Sequence, residues 1–384
     1  MKKIISLILL LCCLSGCAIP HEPIEIEPNE NYVYGVWISC YELEDMAAEG
    51  FYNAFEKTCE EAKVMGLNTL YVHIKAMDTC FYESQFLPIA EWCKGLDRDV
   101  LEFMVNTAHS YGLLFHAWIN PYRLSHRKDF ALSEHFGDFI EDYDYARLDN
   151  GVYLNPASSK AKTLILNVIK EVINGYDVDG IHLDDYFYPT TDASFDSAIY
   201  GEYIAVSSNP LGLDDFRRAQ VNALILGVKQ TVAALKKTVV FSVSPAADIQ
   251  KNYGELYADV AFWCEQGIID VIIPQIYFGF YYPLEKFCFE NLVVEWIKCV
   301  QNTDVSLHIG LAPYKLGTEN EADKKEWENG VCVVSDQLKN IFARGEISGI
   351  AFFSYSSLIN KNELFIKQRQ NITKEISDNK EKGK

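Results

Sequence analysis

Two adjacent aspartates, Asp184 and Asp185, end an apolar segment in the stretch DGIHLDDYFYP, and aromatic residues follow them at once. Like charges at neighbouring positions repel, so such a pair is favoured where one carboxyl group is ionised and the other keeps its proton. Cleavage of a glycosidic bond needs that division, because one acid protonates the leaving oxygen while a carboxylate meets the positive charge developing on the sugar. The doublet therefore predicts catalytic Asp184 and Asp185 in a glycoside hydrolase. The alternative is that Asp185 only caps the following loop.

The chain of 384 residues contains eight short apolar segments with helical segments between them, beginning at Val33, Asn68, Leu113, Gly180, Val239, Asp270, Ser306 and Ser348. Each is rich in β-branched or aromatic residues, which is typical of strands buried on both faces of a parallel sheet. Eight alternations of strand and helix predict an α/β fold, a (β/α)8 TIM barrel that forms a single catalytic domain over residues 33–367. An open doubly wound sheet is the alternative, but the chain lacks the glycine-rich phosphate loop typical of that fold.

The segments between the predicted strands contain helices and two long insertions. Apolar residues recur at helical spacing after Asn155, which is placed to cap the helix, with Pro156 in the first turn and Gly175 just past the end. The longest insertions follow the third and fourth strands, at residues 123–152 and 186–213. Both are expected on the barrel face that carries active sites.

Polar side chains occupy alternate positions near the C-terminal ends of several strands, although the rest of each strand is apolar. Alternate residues of a strand share a face. A single buried polar residue is most often a satisfied core group, but burying many without partners would cost on the order of a few kcal/mol each, so a solvated cleft explains the pattern better. The residues predicted to bind substrate are His73, Lys75, His116, Trp118, Asn120, Arg123, Tyr186, Gln275, Tyr277 and Tyr355.

The types of these residues favour a polysaccharide partner. Aromatic residues make up 13% of the chain, and flat rings can stack on sugar faces. The run 277–282 (YFGFYY) is the best candidate for an exposed aromatic platform. Arg123 suits a carboxylate on the substrate, because a guanidinium group can donate two parallel hydrogen bonds.

The N-terminal residues predict export and lipid attachment. Residues 1–16 join two lysines to an apolar run too short for a spanning helix, which is typical of a secretory signal peptide. The sequence LSGC ending at Cys17 resembles the bacterial lipoprotein box, so we expect lipidation of Cys17 and a membrane-anchored protein on the extracytoplasmic side of the cell envelope. Residues 17–32 are predicted to form a flexible tether, and residues 368–384 a polar, frayed helical tail.

The composition narrows the choice of partner. The chain has 34 basic and 54 acidic residues and a net charge of −20, which argues against nucleic acid because phosphate binding needs clustered cations. The eight cysteines beyond Cys17 lack the spacing of zinc ligands, so no metal site is predicted, and no cofactor either. Their pairing in disulfides or burial as thiols is left open, and the sequence points to no protein partner.

The motifs together resemble the glycosyl hydrolase-like 10 family of bacterial (β/α)8 proteins, many of them lipoproteins. They are GVWIS at Gly35, HAWINPYR at His116, YLNPAS at Tyr153, YDVDGIHLDDYFYP at Tyr176, DFRRAQVN at Asp215, FSVSP at Phe241, WCEQGIIDVIIPQIYF at Trp263 and GIAFFSY at Gly349. The resemblance covers roughly residues 34–358. It implies a glycoside hydrolase acting on glycan strands of the bacterial envelope, with peptidoglycan stripped of its peptides as the expected substrate.

More distant resemblances bear on the mechanism. DGIHLD is similar to the fourth-strand motifs of the α-amylase superfamily and of chitinases, but Tyr186 stands at the position of the chitinase glutamate acid. We therefore expect Asp184 to stabilise the transition state as nucleophile or as partner of a substrate N-acetyl group. Asp185 is the expected acid/base, with Glu83 and Asp248 as alternatives.

Two other functions stay open at this point. A metal-dependent hydrolase would use Asp184, Asp185, His116 and His182 as ligands, although the first strand lacks the HxH pattern common in such barrels. A glycan-binding lipoprotein that has lost catalysis would explain why the acid/base is not obvious.

Overall fold

The computed structural model of the protein describes residues 32–133, 136, 140–141, 144–319 and 325–382. A closed barrel of eight parallel strands lies at its centre, as the sequence predicts. The strands are β1 (Val33–Ile38), β2 (Thr69–Ala76), β3 (Leu114–Ile119), β4 (Gly180–Leu183), β5 (Val240–Val243), β6 (Val271–Ile272), β7 (Ser306–Leu311) and β8 (Ile347–Phe352). β1 pairs with both β2 and β8, which closes the barrel, so the (β/α)8 prediction is confirmed and the open sheet is wrong.

The sixth strand is shorter than the apolar segment that predicts it. Pro274 follows β6 and has no amide hydrogen to donate to a ladder. Pairing resumes at Gln275, which forms isolated bridges to Ala246 and Gly310. Gln275 is thereby held at the barrel mouth.

Helices surround the barrel and connect its strands. Their bounds are α1 (Cys40–Glu49), α2 (Phe51–Val64), α3 (Val100–Ser110), α4 (Ser159–Gly175), α5 (Ser197–Val206), α6 (Leu213–Leu235), α7 (Ile249–Gly254), α8 (Val260–Glu265), α9 (Phe289–Val300), α10 (Val333–Phe342), α11 (Tyr355–Ile359) and α12 (Glu363–Lys382). Apolar stripes on most of these helices pack against the outer faces of the strands in one core, whereas α5 buries no residue.

The start of α4 corrects the predicted cap. Ser158 caps the helix, since its Oγ accepts a hydrogen bond from the amide of Ala161 at 3.0 Å. Asn155 instead accepts from the amide of Ala157 at 3.0 Å, which forms a local turn before the helix. Gly175 is the last helical residue and does not lie beyond the helix.

Both long insertions have structure of their own. The insertion after β3 contains a small antiparallel sheet of Arg123–Ser125, Tyr145–Leu148 and Gly151–Leu154. The insertion after β4 contains α5 and is anchored by Asp196. Its carboxylate accepts two hydrogen bonds from Arg217 of α6, at 2.9 and 2.6 Å, and both side chains are fully buried.

Rings packed against glycines fill the lower part of the barrel. A Cβ at Gly180 would lie 2.2 Å from Nδ1 of His116, and one at Gly349 would lie 2.6 Å from the ring of His308. His182 is buried nearby and is fully engaged: Nε2 accepts from Nε1 of Trp37 at 3.0 Å and Nδ1 lies 2.8 Å from Oγ of Ser242. The interior is therefore a packed support, on which the residues at the strand ends rest.

The C-terminal residues correct another prediction. Over their described part, residues 368–384 are helical, as predicted, but they belong to α12, which is packed and not frayed. Gln368, Ile372 and Ile376 are buried, four residues apart on one face of the helix, and Nε2 of Gln368 donates to the carbonyl of Pro313 at 3.0 Å. Apolar residues at this spacing form one stripe, although the segment as a whole is polar.

The predictions for the N-terminus fall outside the described residues. These are the signal peptide 1–16, lipidation at Cys17 and, apart from Tyr32, the tether 17–32. Within the part that the structure describes, no helix is both long and apolar enough to cross a membrane.

Replacement of Ile376 tests the packing of α12. Ile376→Ala is expected to lower the free energy of unfolding by about 2–4 kcal/mol, because it leaves a cavity against the residues around Gly66. Denaturant titration measures the change. The matched control is Ser377→Ala, at the exposed neighbouring position, with an expected change within about 0.5 kcal/mol. Equal effects of the two changes would show that α12 is not part of the core.

Candidate active site

A cleft of about 330 Å³ opens at the C-terminal ends of the barrel strands. The structure brings nine of the predicted site residues together there: Asp184, Asp185, His73, Trp118, Asn120, Arg123, Tyr186, Gln275 and Tyr277. Seven of the eight strand ends or the segments after them contribute to the lining, as expected of a TIM-barrel active site. The roles of the individual residues are still predictions.

Asp184 lies at the bottom of the cleft and is only 3% exposed. Its Oδ2 accepts hydrogen bonds from Nε1 of Trp118 at 3.0 Å and from Nδ2 of Asn120 at 2.9 Å. Burial, with a smaller contribution from the neighbouring Asp185, raises the pKa of Asp184 to about 7, and the two donors act in the opposite direction. Near neutral pH this carboxyl group can therefore be either protonated or ionised.

The donors to Asp184 are held by the neighbouring strand. In the parallel pairing of β3 with β4, Trp118 lies beside His182 and Ile119 beside Leu183, so Asn120 comes level with Asp184. The Asn120 amide is pinned on its other side, because Oδ1 accepts from the backbone amide of Arg123 at 3.1 Å. Strand register thus sets the distance between the donors and the carboxylate.

Asp185 has a different environment. It is half-buried, and burial raises the pKa of its carboxyl group, while a hydrogen bond with Gln275 acts in the opposite direction. Gln275 is itself oriented by Nε2, which donates to the carbonyl of Ser244 at 3.0 Å. One carboxyl group of the doublet is therefore buried at the bottom of the cleft, and the other is more exposed at its surface.

Aromatic rings form two walls of the cleft. His73 stacks on Trp118 with 3.3 Å between ring centroids, and Nδ1 of His73 accepts from the amide of Cys40 at 3.0 Å. On another side of the cleft Tyr277 stacks with Phe353, with 5.9 Å between the ring centroids. Tyr314, which is partly exposed, packs edge-on against both rings.

The cleft is bordered by a positively charged side chain. The guanidinium carbon of Arg123 lies 3.7 Å from the ring centroid of Tyr186. Beside it, the hydroxyl of Tyr41 lies 2.7 Å from Nε2 of His126, a contact between the loop after β1 and the loop after β3. These residues form one edge of the opening.

Three predicted substrate-binding residues do not line the cleft. The pairing of β2 with β3 shifts register between His73 and Lys75, and such an irregularity changes the face to which a side chain points. Lys75 therefore lies in apolar surroundings beside Leu164 and Val168 of α4. Its Nζ donates to the carbonyl of Asn120 at 2.7 Å, and burial lowers the pKa of Lys75 to about 8. Lys75 supports the site from below.

The other two are also placed away from the cleft. His116 lies deep in the barrel against Gly180, and burial lowers the pKa of its ring to about 4, so the ring is neutral. Tyr355 is buried at the start of α11, and its hydroxyl donates to Oε2 of Glu61 at 2.6 Å. Both side chains therefore belong to the scaffold.

The alternative acids are placed outside the cleft as well. Asp248 caps α7, accepting from the amides of Gln250 and Lys251, and pairs with Lys286 at 3.3 Å. Glu83 lines a separate surface depression beside Glu171 and Tyr176. This leaves Asp185 as the second carboxyl group of the cleft.

The platform predicted at residues 277–282 is only partly formed. Tyr277 lines the cleft, whereas Phe278 stacks on Phe287 and Phe280 packs against Phe289. Tyr281 is the exposed ring of the run, at 62%. A continuous aromatic surface is therefore not present.

The residues of the metal hypothesis are not gathered into one site. His116 and His182 are in the packed interior, and the hydrogen bonds of His182 engage both of its ring nitrogens. In the described ranges no group of three or more His, Cys, Asp or Glu side chains is arranged to hold a metal ion. The eight cysteines from Cys40 to Cys332 are all free thiols.

Sequence reasoning missed the cleft residues on the loop after β1. Ser39, Cys40 and Tyr41 line the cleft because α1 begins directly at the end of β1. The signal was present: Ser39 and Glu42 form a capping box, with the Ser39 amide donating to Oε2 of Glu42 at 2.6 Å. An early cap after a strand places the first helical turn at the rim of a barrel.

Fold and cleft together define a class, the TIM-barrel glycoside hydrolases, in which carboxyl groups stand at the ends of barrel strands. The Glycosyl hydrolase-like 10 family matches this chain over residues 32–329, and the chain therefore belongs to the glycosyl hydrolase-like 10 family.

Relatives of known name agree with this membership. The chain is 33% identical over 337 residues to Glycosyl hydrolase YngK of Bacillus subtilis (strain 168), which covers 81% of this chain and 64% of that protein. It is 31% identical over 323 residues to Glycosyl hydrolase DigH of Escherichia coli (strain K12), covering 75% and 72%. The match thus spans a little under two thirds of the length of the Bacillus relative.

A solved structure supports the fold. The PgaB (BpsB) glycoside hydrolase domain from Bordetella bronchiseptica superposes with a TM-score of 0.57, covering 88% of this chain and 98% of that one. The sequence identity is 11%, so the likeness concerns the fold alone.

The raised pKa of Asp184 predicts that replacing its carboxyl group by a neutral amide stabilises the protein, and that the size of this gain depends on pH. The folded state favours the protonated form, so its contribution to the free energy of unfolding is lost as pH rises from about 4, the pKa in the unfolded chain, through about 7. Asp184→Asn is expected to be more stable than wild type by about 2–4 kcal/mol at pH 8 and about equal to it at pH 4. Denaturant titrations at both pH values measure this.

The control for this prediction is Asp45→Asn, on the exposed side of α1. It should change stability little at either pH. If Asp184→Asn gave the same difference from wild type at pH 4 and pH 8, the carboxyl group of Asp184 would not be desolvated.

Proposed function

We propose that the protein hydrolyses glycosidic bonds in peptide-stripped peptidoglycan strands, with Asp184 and Asp185 as its catalytic pair. The observation that carries this proposal is the unequal placement of the doublet in one cleft. Asp184 is buried and held by two N–H donors, whereas Asp185 is half-buried at the surface of the cleft. Such unequal environments suit two carboxyl groups with different tasks.

Asp184 is suited to carry negative charge opposite the sugar. Trp118 and Asn120 both donate to Oδ2, and hydrogen bonds to a carboxylate stabilise its ionised form. Oδ1 accepts only a long bond of 3.4 Å, from the amide of Tyr186, among the described residues. That oxygen is thus available for the anomeric carbon or for a substrate N-acetyl group.

Asp185 is suited to move protons. Its position at the surface of the cleft lets it exchange a proton with water as well as with the leaving oxygen. The bond to Gln275 holds the carboxyl group in place, and Gln275 is anchored to the backbone of the strand before it. We assign Asp185 as the acid/base on this ground.

The substrate proposal has two supports. The first is the resemblance of the sequence motifs to the glycosyl hydrolase-like 10 family, for which an envelope glycan is the expected substrate. The second is that the walls of the cleft contain rings able to stack on sugar faces, among them the partly exposed Tyr186, and the partly exposed Tyr314 packs against two of these rings.

Digestion of defined glycan strands tests the proposal. Wild-type protein incubated with peptide-stripped strands should release fragments with new reducing ends, detected by mass spectrometry. Asp184→Asn and Asp185→Asn should each lower kcat/KM by about 100-fold or more, since each removes a group acting in the transition state. The matched control is Asp192→Asn, an exposed aspartate in the loop after the same strand, with near wild-type activity.

Three results would contradict the proposal. Release of fragments by Asp184→Asn at the wild-type rate would exclude that residue from catalysis. Binding of strands by wild type without any cleavage would favour the glycan-binding lipoprotein instead. Loss of activity on chelation, with recovery on adding metal, would favour the metal-dependent hydrolase.

We also propose that the protein is anchored to the membrane of the cell envelope through lipid on Cys17. The support is the sequence of the first 17 residues, in which a short apolar run ends at the lipoprotein box. In cells given a radiolabelled fatty acid, the wild-type protein should carry label and enter the detergent phase, whereas Cys17→Ala should do neither. Cys332→Ala, which removes an exposed cysteine, is the control. Equal labelling of Cys17→Ala and wild type would overturn the proposal.

A further inference from the structure

A single cationic side chain stands out in the cleft. Among the described residues that line it, Arg123 is the one arginine or lysine, and two aspartates lie in the same lining. The whole chain carries a net charge of −20, so a cation at this position is not a consequence of a basic surface. The position of this cation in the cleft therefore has to be explained by the residues around it.

The position of Arg123 is set by rings and not by a carboxylate. Its guanidinium carbon lies 3.7 Å from the ring centroid of Tyr186 and 5.6 Å from that of Tyr153. Its backbone is tied to the site, because the amide donates to Oδ1 of Asn120. Within the described part of the chain the guanidinium group forms no ion pair with an aspartate or glutamate.

One of its donors is left without a partner. The Nε–H of Arg123 is buried and makes no hydrogen bond with any described residue. A buried donor left unpaired costs about 1–3 kcal/mol, so such a group is expected to gain a partner when the site is filled. A guanidinium group matches a carboxylate best, since its N–H groups form a fork.

Arg123 is also close to the catalytic doublet. It stacks at 3.7 Å on Tyr186, the residue after Asp185, and its amide donates to Asn120, whose Nδ2 donates to Asp184. The charge of Arg123 also opposes the rise in the pKa of Asp185 that burial causes. A substrate group bound to Arg123 would therefore lie on a sugar near the scissile bond.

We propose that Arg123 makes the cleft selective for acidic glycans by binding a carboxylate on a sugar next to the bond that is cut. The carboxylate would be that of a lactyl ether or of a uronic acid. This inference rests on the proposed hydrolysis. It adds that the cleft recognises a charged substituent of the substrate. A neutral glycan of the same length would leave the Nε–H of Arg123 unpaired in the occupied cleft, so it should bind less tightly.

The test compares matched glycans that differ in charge. Peptide-stripped peptidoglycan strands are used intact and after reduction of their lactyl carboxylates to alcohols, and an oligosaccharide containing glucuronic acid forms a third arm. For wild type, kcat/KM on intact strands should exceed that on reduced strands by about 10- to 100-fold, the range of a charged hydrogen bond. Activity on the third arm decides whether a uronic acid can replace the lactyl ether.

Variants at two arginines locate the effect. Arg123→Gln should bring the ratio between intact and reduced strands below about threefold, mainly through a higher KM on intact strands, while Arg123→Lys should restore part of it. Arg127→Gln is the control, because Arg127 is exposed in the same loop and pairs with Asp129 at 3.3 Å. It should keep the wild-type ratio.

The outcomes separate this inference from the proposed function. Equal cleavage of intact and reduced strands by wild type would overturn the inference and leave hydrolysis standing, as would an equal loss on both strands in Arg123→Gln. If no strand is cut, the proposed function fails. Calorimetric binding of the same strands then still decides the role of Arg123: wild type should bind intact strands more tightly than reduced ones, and equal affinities would overturn it.

Discussion

The cleft depends on the burial of one carboxyl group, that of Asp184, beneath two N–H donors from the neighbouring strand. The parallel register of β3 and β4 brings Asn120 level with Asp184, and Trp118 donates from one pleat deeper. A closed barrel holds this register from both sides, so the donors cannot move away when the charge on the carboxyl group changes. Preorganised dipoles of this kind stabilise charge without reorganisation during a reaction.

The support of Asp184 extends into layers that substrate would not touch. Lys75 donates to the carbonyl of Asn120 from a largely apolar pocket between barrel and α4, and so carries positive charge beneath the carboxylate. Trp37, which lines the cleft, donates to the buried His182 below it, whose other nitrogen lies 2.8 Å from Oγ of Ser242. Burial of these groups costs stability, and their mutual hydrogen bonds offset part of that cost. In the barrel interior, polar groups that hydrogen-bond to one another thus replace part of the apolar packing and form a rigid support for the site.

The loops of the barrel mouth complete the site with different kinds of contact. The loop after β1 starts α1 at once, so its first residues form a wall, and the loop after β3 supplies Arg123 stacked on Tyr186. The insertion after β4 is fixed by the buried pair of Arg217 and Asp196, neither of which lines the cleft. Because such anchors hold the loops in place, the side chains at the rim of the cleft can be adapted to the substrate without loss of the loop structure.

The sequence predicts the eight strands, their order and half of the residues that line the cleft. Apolar runs and alternate positions are local patterns, and the rule that barrel sites lie at C-terminal strand ends converts them into a location. Asp184, Asp185, Trp118, Asn120 and Gln275 followed from that rule. The capping residue of α4 could not be predicted in this way, because several polar residues near a helix end can each act as the cap. The packed face of α12 was missed because its short apolar stripe lies within a highly charged segment.

The tertiary structure alone decided which polar residues on the strands reach the cleft. His116 lies too deep along β3, although its face is the one predicted, since depth depends on how far each strand extends into the closed barrel. Lys75 is turned away by an irregularity in the pairing of β2 with β3, and alternation read from one strand contains no information about its partner. The contacts of Tyr41 with His126 and of Arg123 with Tyr186 join distant segments of chain, so only the folded barrel could bring them together.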